Sequence, residues 1–136
     1  MILLDTNIFL ELLLDQKKAN QCERLLEQVA EGKIEVVVTR FSVHAVEAII
    51  GKSKDVAKFL RNVDASTGLL VYDTGNSDEM AATILQEKTK LDFDDALQYY
   101  VAKKLGVSPI VTFDSDFDSL DVKRVEPEAL TGSEKK

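Results

Sequence analysis

The sequence predicts an α/β fold, a three-layer α/β/α sandwich around a central parallel sheet of four to five strands. Short apolar runs alternate along the chain with segments of helical periodicity. The apolar runs show little polar alternation, which indicates strands buried on both faces, as in a parallel sheet covered by helices. Connections are short, and no linker or internal repeat divides the chain. We therefore expect one domain over residues 1–125, followed by a polar, mobile tail over 126–136.

Composition and charge limit the class of protein. With 136 residues, 45% of them hydrophobic, the chain is long enough for a sizeable core. No apolar run approaches the ~20 residues of a membrane span. The N-terminal run is broken at Asp5 and lacks a basic flank, so we expect no signal peptide, no membrane contact and a cytoplasmic location. The single cysteine, Cys22, excludes an internal disulfide and suits a reducing compartment.

The net charge of −7 argues against broad binding of nucleic-acid phosphates, which usually requires a basic surface. Two explanations remain open. Either the acids are concentrated in a metal pocket where cations offset them, or the partner is not nucleic acid. The most basic stretch is more often a solvated helix face than a binding patch, but it is where phosphate contacts are expected first. It consists of Lys52, Lys54, Lys58 and Arg61.

The first strand is the apolar run that ends before Asp5. Thr6 or Asn7 is expected to cap a short helix that continues from Ile8 to Leu14.

The next segments predict three helices and a second strand. Helical periodicity over 17–31 predicts a helix that holds Cys22 as a small core residue. The β-branched run over 34–39 predicts a buried strand. Residues 40–50 are apolar almost all round, which predicts a deeply buried helix, and Ser53 is expected to cap the helix after it.

The second half of the chain continues the alternation. The spacing of Asn76 and Glu79 predicts a capping box at the start of one helix. Another helix opens over 91–96 and ends at Gly106. The predicted strands are 68–73, 109–113 and a short edge strand over 122–125.

Acids follow buried elements at three places. Asp5 ends the first strand, Asp114 ends the fourth, and Asp95 lies in the first turn of a helix. Ligands of parallel sheets bind outside the carboxyl ends of the strands, so these acids are expected to meet there. These acids can also have purely structural roles. Asp92 can be a helix cap, Asp94 and Asp95 can favour the positive end of the helix, and Asp114 can form a turn.

Glu47 interrupts the apolar helix predicted over 40–50. A buried carboxylate without a partner is costly, so Glu47 must face water, a basic group or a metal. Its simpler reading is a narrow solvent stripe, because Arg40, His44 and Glu47 share one helix face.

Carboxylates that converge at one edge of a sheet repel one another, and without a cation some of them stay protonated. A hard divalent cation removes this conflict, and ligands that are all oxygen favour Mg²⁺ or Mn²⁺ over zinc. The lone histidine, His44, argues against a zinc site. Such a pocket suits phosphodiester hydrolysis. P-loop and dinucleotide-binding motifs are absent from the sequence.

Two other phosphate-handling families fit less well. A haloacid-dehalogenase-like phosphatase also has an aspartate after its first strand, but it requires a second aspartate where this chain has Asn7. A response-regulator receiver domain requires an acid pair after the first strand and a lysine after the fifth. Here Asp5 stands alone and no such lysine is evident.

Four short motifs occur along the chain: Leu4–Asn7, Glu47 five residues after Ser42, Asp94–Leu97 with Ala102 following, and Thr112–Phe117. In this order they resemble the PIN domain, and within it the prokaryotic VapC-type toxins. The resemblance covers nearly the whole of residues 1–125.

The resemblance implies a four-acid site of Asp5, Glu47, Asp95 and Asp114, with Asp116 as a possible fifth acid. It implies Mg²⁺ or Mn²⁺ as cofactor and endonuclease activity on single-stranded or structured RNA. Asp5, Asp95 and Asp114 would bind the ion, and Glu47 would bind it through water or position the attacking water.

Within the motifs, neighbouring polar residues must be told apart from the residues that bind the ion. Thr6 or Asn7 would orient Asp5 without binding the ion. Asp95 is preferred to its neighbours Asp92 and Asp94 because Ala and Leu follow it, as in the family motif.

Partners also follow from the resemblance. Such toxins often form homodimers and are silenced by an antitoxin peptide laid across the site. A PIN-like module that binds RNA or a protein without cutting remains the alternative, and a phosphatase with an aspartate nucleophile is a third reading.

Overall fold

The fold is built on one parallel sheet. The computed structural model describes residues 1–132. All neighbouring strands are parallel, and their order in the sheet is the third, second, first, fourth and fifth along the chain. The α/β prediction with a central parallel sheet is therefore confirmed. The strands are β1 (Ile2–Leu4), β2 (Val36–Thr39), β3 (Leu69–Tyr72), β4 (Ile110–Val111) and β5 (Arg124–Val125).

Helices connect the strands and flank the sheet. A short 3₁₀ helix over Ser115–Ser119 follows β4. The α-helices are α1 (Thr6–Leu13), α2 (Ala19–Ala30), α3 (Arg40–Ile50), α4 (Ser53–Ala65), α5 (Asn76–Lys88), α6 (Phe93–Leu105) and α7 (Glu128–Thr131).

Alternate residues of the central strands enter two separate cores, so the sheet is covered on both faces. Leu4 of β1 and Val38 of β2 pack in a core with residues of α1 to α4. Leu3 and Val37 pack in a second core with residues of α5 and α6. Burial on both sides explains why these strands read as unbroken apolar runs. Cys22 is fully buried in the first core, as predicted.

The starts of three helices differ from prediction. Asp5, not Thr6 or Asn7, occupies the cap position of the first helix, so α1 begins two residues earlier than expected. Lys52 precedes α4, and Ser53 is already helical. At α5, the backbone N–H of Gly75 donates to Asp78 Oδ2 at 3.0 Å, so the capping contact does not use the predicted pair of Asn76 and Glu79.

Helix α3 is less buried than its apolar sequence predicts. Val43 and Val46 lie in the core, but Ile49 is 53% exposed and Ala48 is exposed as well. The helix therefore presents an apolar surface near its end. Thr39 caps it, because Thr39 Oγ1 accepts a hydrogen bond from the Ser42 backbone at 3.0 Å.

Part of the segment predicted as a polar tail over 126–136 forms a short helix that packs on the domain. Helix α7 lies against α2, and the Glu128 backbone N–H donates to Gln21 Oε1 at 3.1 Å. Leu130 packs against the first core. The rest of the predicted tail, residues 133–136, lies outside the described residues. Within residues 1–132, every helix is too short or too polar to cross a membrane.

Candidate active site

Asp5 lies at the carboxyl end of β1 and is 3% exposed. The hydroxyl of Thr112, which follows β4, donates a hydrogen bond to Asp5 Oδ2. The amide nitrogen of Gln98, on α6, donates to Asp5 Oδ1 at 2.9 Å. Both carboxylate oxygens are thus held by side chains from other elements.

Burial raises the pKa of Asp5 from 3.8 to about 6. Desolvation is the largest cause, and it outweighs the hydrogen bonds from Thr112, Gln98 and the Asn7 backbone, which lower the pKa. The nearby charge of Asp94 adds to the increase. A cation near Asp5 would oppose this increase.

Asp95 lies in the first turn of α6 and is 7% exposed. Burial is the main reason that its pKa is raised to about 9, and the charges of Asp5, Asp92 and Asp114 contribute. A carboxyl group with this pKa holds a proton at neutral pH unless a cation offsets its charge.

Asp114 and Asp116 join Asp95 in a group of three carboxylates. One oxygen from each lies within 4.8 Å of the other two. Asp114 Oδ1 accepts a hydrogen bond from the Asp116 backbone at 2.9 Å, and the Asp114 backbone donates to Thr112 Oγ1 at 2.9 Å. The segment after β4 is therefore folded around its own polar groups. Three carboxylates this close together fit a hard divalent cation, and Asp5 is near enough for its charge to raise the pKa of Asp95.

The neighbours of Asp95 are bound elsewhere. Asp92 Oδ1 accepts a hydrogen bond from the Asp95 backbone at 2.9 Å, so Asp92 is the cap of α6. Asp94 Oδ1 accepts from Gln98 Nε2 at 3.0 Å, and Asp94 Oδ2 accepts from Thr6 Oγ1 at 2.9 Å. Neither acid is in the group formed by Asp95, Asp114 and Asp116.

Glu47 lies outside that group as well. Its side chain is 26% exposed, and its Oε1 is 3.2 Å from His44 Nδ1. This contact agrees with the interpretation that His44 and Glu47 share one solvent-facing side of the helix. Arg40, predicted on the same side, instead forms a salt bridge with Asp73 at 2.9 Å. A role for Glu47 in catalysis stays a prediction.

The side chains expected to orient Asp5 contact other partners. Thr6 Oγ1 contacts Asp94 and lies 2.7 Å from Ser42 Oγ. Asn7 Nδ2 reaches Thr112 Oγ1 at 3.4 Å.

Sequence reasoning gave no role to the two residues whose side chains bond the Asp5 carboxylate: Thr112 stood only within the fourth motif, and Gln98 stood in none. One signal was available for Gln98. It is a polar residue one helical turn after Asp94, on a helix whose other buried residues are apolar except for Asp95.

Comparison with known proteins agrees with this fold. The PIN domain family model matches residues 2–123. VapC20 from Mycobacterium tuberculosis, described as a sarcin-ricin loop cleaving toxin, has a TM-score of 0.71 at 16% sequence identity, over 92% of this chain and 98% of that one. A toxin–antitoxin complex from Klebsiella pneumoniae has a TM-score of 0.66 at 19% identity, over 93% and 98%. VapBC2 from Rickettsia felis, bound to a DNA fragment from its promoter, has a TM-score of 0.66 at 16% identity, over 93% and 98%.

No curated protein matches the chain by sequence. At these identities the solved structures show a common fold, and they are VapC-type toxins or toxin–antitoxin complexes. The family match covers almost all of the predicted domain and confirms the resemblance drawn from the four motifs. The chain belongs to the PIN domain family.

Proposed function

We propose that this chain is a metal-dependent endoribonuclease that hydrolyses RNA phosphodiester bonds, and that it is the toxin of a toxin–antitoxin pair. The observation that carries the proposal is the cluster of Asp95, Asp114 and Asp116, whose carboxylate oxygens lie within 4.8 Å of one another, beside the buried Asp5. Fold similarity to VapC-type toxins supports the same assignment.

Asp5, Asp95 and Asp114 would hold Mg²⁺ or Mn²⁺, with Asp116 as a further ligand. When bound, such an ion supplies positive charge to the phosphate and lowers the pKa of water. Hydrogen bonds from Thr112 and Gln98 fix the Asp5 carboxylate before substrate arrives. Glu47 would position the attacking water, as the family resemblance implies.

RNA binding must be reconciled with the acidic surface. A net charge of −7 opposes contact with a long stretch of phosphates, so the substrate is expected to contact the protein over a few nucleotides. Exposed basic side chains just before α4 and along it offer a place for phosphate contacts outside the acidic site. They are Lys52, Lys54, Lys58 and Arg61.

A second proposal concerns the partner. An apolar groove of about 290 Å³ lies between α1, α2 and α4, and Leu12, Leu26 and Val63 are among its lining residues. Two of the similar solved structures contain both members of a toxin–antitoxin pair. We assign this groove to an apolar segment of an antitoxin. We also propose that the chain forms a homodimer, as the family resemblance implies. We propose a cytoplasmic location, as expected for a toxin that acts on cellular RNA.

Cleavage of a panel of labelled RNAs tests the nuclease. Wild type and Asp5→Asn are compared with Mg²⁺, with Mn²⁺ and with chelator, and Asp64→Asn, an exposed site on α4, is the matched control. We expect metal-dependent cutting by wild type and by the control, and none by Asp5→Asn. Cutting by Asp5→Asn at the wild-type rate would refute the site. A folded wild type that binds metal but cuts no RNA in the panel would favour the non-cleaving module.

Induced expression in bacterial cells tests the toxin assignment. We expect growth arrest with wild type and normal growth with Asp5→Asn at equal protein level. Co-expression of the product of the neighbouring gene is expected to restore growth. Normal growth with active wild-type enzyme would favour a housekeeping nuclease.

A further inference from the structure

Gln98 is a polar residue in a place where an apolar one is expected. Its side chain is fully buried on α6, where the apolar residues Leu97 and Val101 are fully buried as well. A buried amide is costly unless its polar atoms find partners. Gln98 Oε1 has no hydrogen-bond partner among residues 1–132. A simple packing role would favour leucine at this position.

The nitrogen of the same amide donates two hydrogen bonds, which offset the free-energy cost of burying the side chain. Gln98 Nε2 donates to Asp5 Oδ1 at 2.9 Å and to Asp94 Oδ1 at 3.0 Å. Ionised carboxylates only accept hydrogen bonds, so the amide must turn its nitrogen towards both acids. Gln98 thus joins Asp5, which is 93 residues away in the chain, to Asp94, one turn away on its own helix.

Asp94 in turn holds Gln98. The second oxygen of Asp94 accepts a hydrogen bond from Thr6 Oγ1 at 2.9 Å. Both Asp94 oxygens are therefore bound by protein donors, whereas the nearby Asp95 belongs to the group of close carboxylates. Asp94 is therefore placed to hold Gln98 and Thr6, and it lies outside the group of close carboxylates.

We propose that Gln98 is a positioning residue of the metal site, which sets the rotation of the Asp5 carboxylate, and that Asp94 acts by holding Gln98 and does not bind the ion. With Thr112 on Oδ2 and Gln98 on Oδ1, the plane of the carboxylate is fixed from both sides. A carboxylate has about four acceptor positions, and Thr112, Gln98 and the Asn7 backbone occupy three of them, so one is left for a cation. Because the amide is neutral, it orients Asp5 without cancelling the charge that attracts the ion. This inference rests on the proposed function for the presence of a metal.

Mn²⁺ binding to the full chain, measured by titration calorimetry, tests the role of Gln98. Loss of a group that orients a metal ligand typically weakens metal binding by about 10- to 100-fold. We expect Gln98→Leu to raise the Mn²⁺ dissociation constant by at least about 10-fold. Val101→Ala, a buried change on the same helix, controls for general destabilisation and is expected to bind Mn²⁺ as wild type does. Wild-type affinity in a folded Gln98→Leu variant would overturn the proposal.

Asp94 provides a second test that does not require Gln98→Leu to fold. Asparagine keeps a side-chain oxygen for Gln98 and a polar group for Thr6, whereas alanine keeps neither. We expect Asp94→Asn to bind Mn²⁺ within a few-fold of wild type and Asp94→Ala to bind it at least about 10-fold more weakly. If Asp94→Asn lost binding as fully as Asp94→Ala, Asp94 would be a ligand and the proposal would be wrong.

The same measurements separate this inference from the proposed activity. If wild type binds Mn²⁺, cuts no RNA and shows the expected losses in the variants, the positioning role stands and the ribonuclease proposal fails. If wild type cuts RNA with metal and Gln98→Leu binds Mn²⁺ normally, only the positioning role fails. A wild type that binds no Mn²⁺ overturns both.

Discussion

Asp92 Oδ1 accepts a hydrogen bond from the backbone N–H of Asp95 at 2.9 Å. This contact separates the functions of two acids that lie three residues apart. Asp92 uses its carboxylate to cap α6, while the Asp95 carboxylate is held close to Asp114 and Asp116. Capping also fixes the first turn of the helix, and thereby the position from which Asp95 reaches the other acids.

The first prediction contrasts these two acids. Asp95→Asn should reduce RNA cleavage by more than about 100-fold, because loss of a group that merely orients a ligand already costs about 10- to 100-fold. Asp92→Asn should stay within a few-fold of wild type, since asparagine caps helices about as well as aspartate. Initial cleavage rates at saturating Mn²⁺ measure both. Equal losses in the two variants would contradict the assignment of Asp95 as the ligand.

The fold was predictable because its signals are local. Strands β1 and β2 are buried on both faces, so the residues Leu3 and Val37 are as apolar as the neighbours that enter the other core. Short apolar runs between helical segments identify this arrangement without knowledge of contacts. The same signals placed Asp5 at the end of β1, whereas β4 ends at Val111 and Asp114 caps the 3₁₀ helix that follows it.

The parts that were not predicted depend on distant contacts. Asp5 occupies the cap position of α1, yet its carboxylate bonds Gln98 and Thr112, which are 93 and 107 residues away. Nothing near Asp5 in the sequence indicates those partners. Ile49 is a different case, because an exposed apolar residue follows the same pattern as a buried one.

The second prediction concerns pH in the absence of metal. The pKa of Asp5 is raised to about 6 and that of Asp95 to about 9, so the folded state binds protons that the unfolded state has released above pH 3.8. The stabilisation from these protons is full below about pH 3.8 and is lost as pH rises to about 6 for Asp5 and about 9 for Asp95. Each unit of difference corresponds to about 1.4 kcal/mol, which solvent screening reduces.

Urea unfolding of chelator-treated protein between pH 5 and pH 9 measures this effect. We expect the free energy of unfolding to fall as pH rises, and excess Mn²⁺ to remove most of the fall. Asp95→Asn, which has no proton to lose, should show a flatter profile without metal. A metal-free wild type that became more stable over this range would contradict proton release from Asp5 and Asp95 as the cause.

The third prediction concerns Thr112, whose hydroxyl donates to Asp5 and accepts from the Asp114 backbone at 2.9 Å. Thr112→Val preserves the shape and removes both contacts. We expect a loss of about 1–3 kcal/mol in stability, because buried polar groups are left unpaired, and at least about 10-fold weaker Mn²⁺ binding. Thr112→Ser retains the hydroxyl and should restore most of the metal affinity. Calorimetry measures the metal affinity, and urea unfolding measures the stability. A Thr112→Val variant with wild-type affinity would show that the hydrogen bond from Thr112 to Asp5 does not contribute to metal binding.

The fourth prediction concerns the approach of two backbone segments at Gly68. A Cβ atom at this position would meet the carbonyl oxygen of Ile34 and lie 2.8 Å from that of Val29. Backbone atoms cannot move aside as a flexible side chain can, and the Gly68 N–H also donates to Val29 O at 2.9 Å. Gly68→Ala should therefore displace the start of β3 and lower the free energy of unfolding by about 1–3 kcal/mol. Gly75→Ala is the control, because a Cβ there meets nothing within 4 Å, and it should cost less than about 1 kcal/mol. Similar midpoints of urea unfolding for the two variants would show that the contact at Gly68 relaxes without cost.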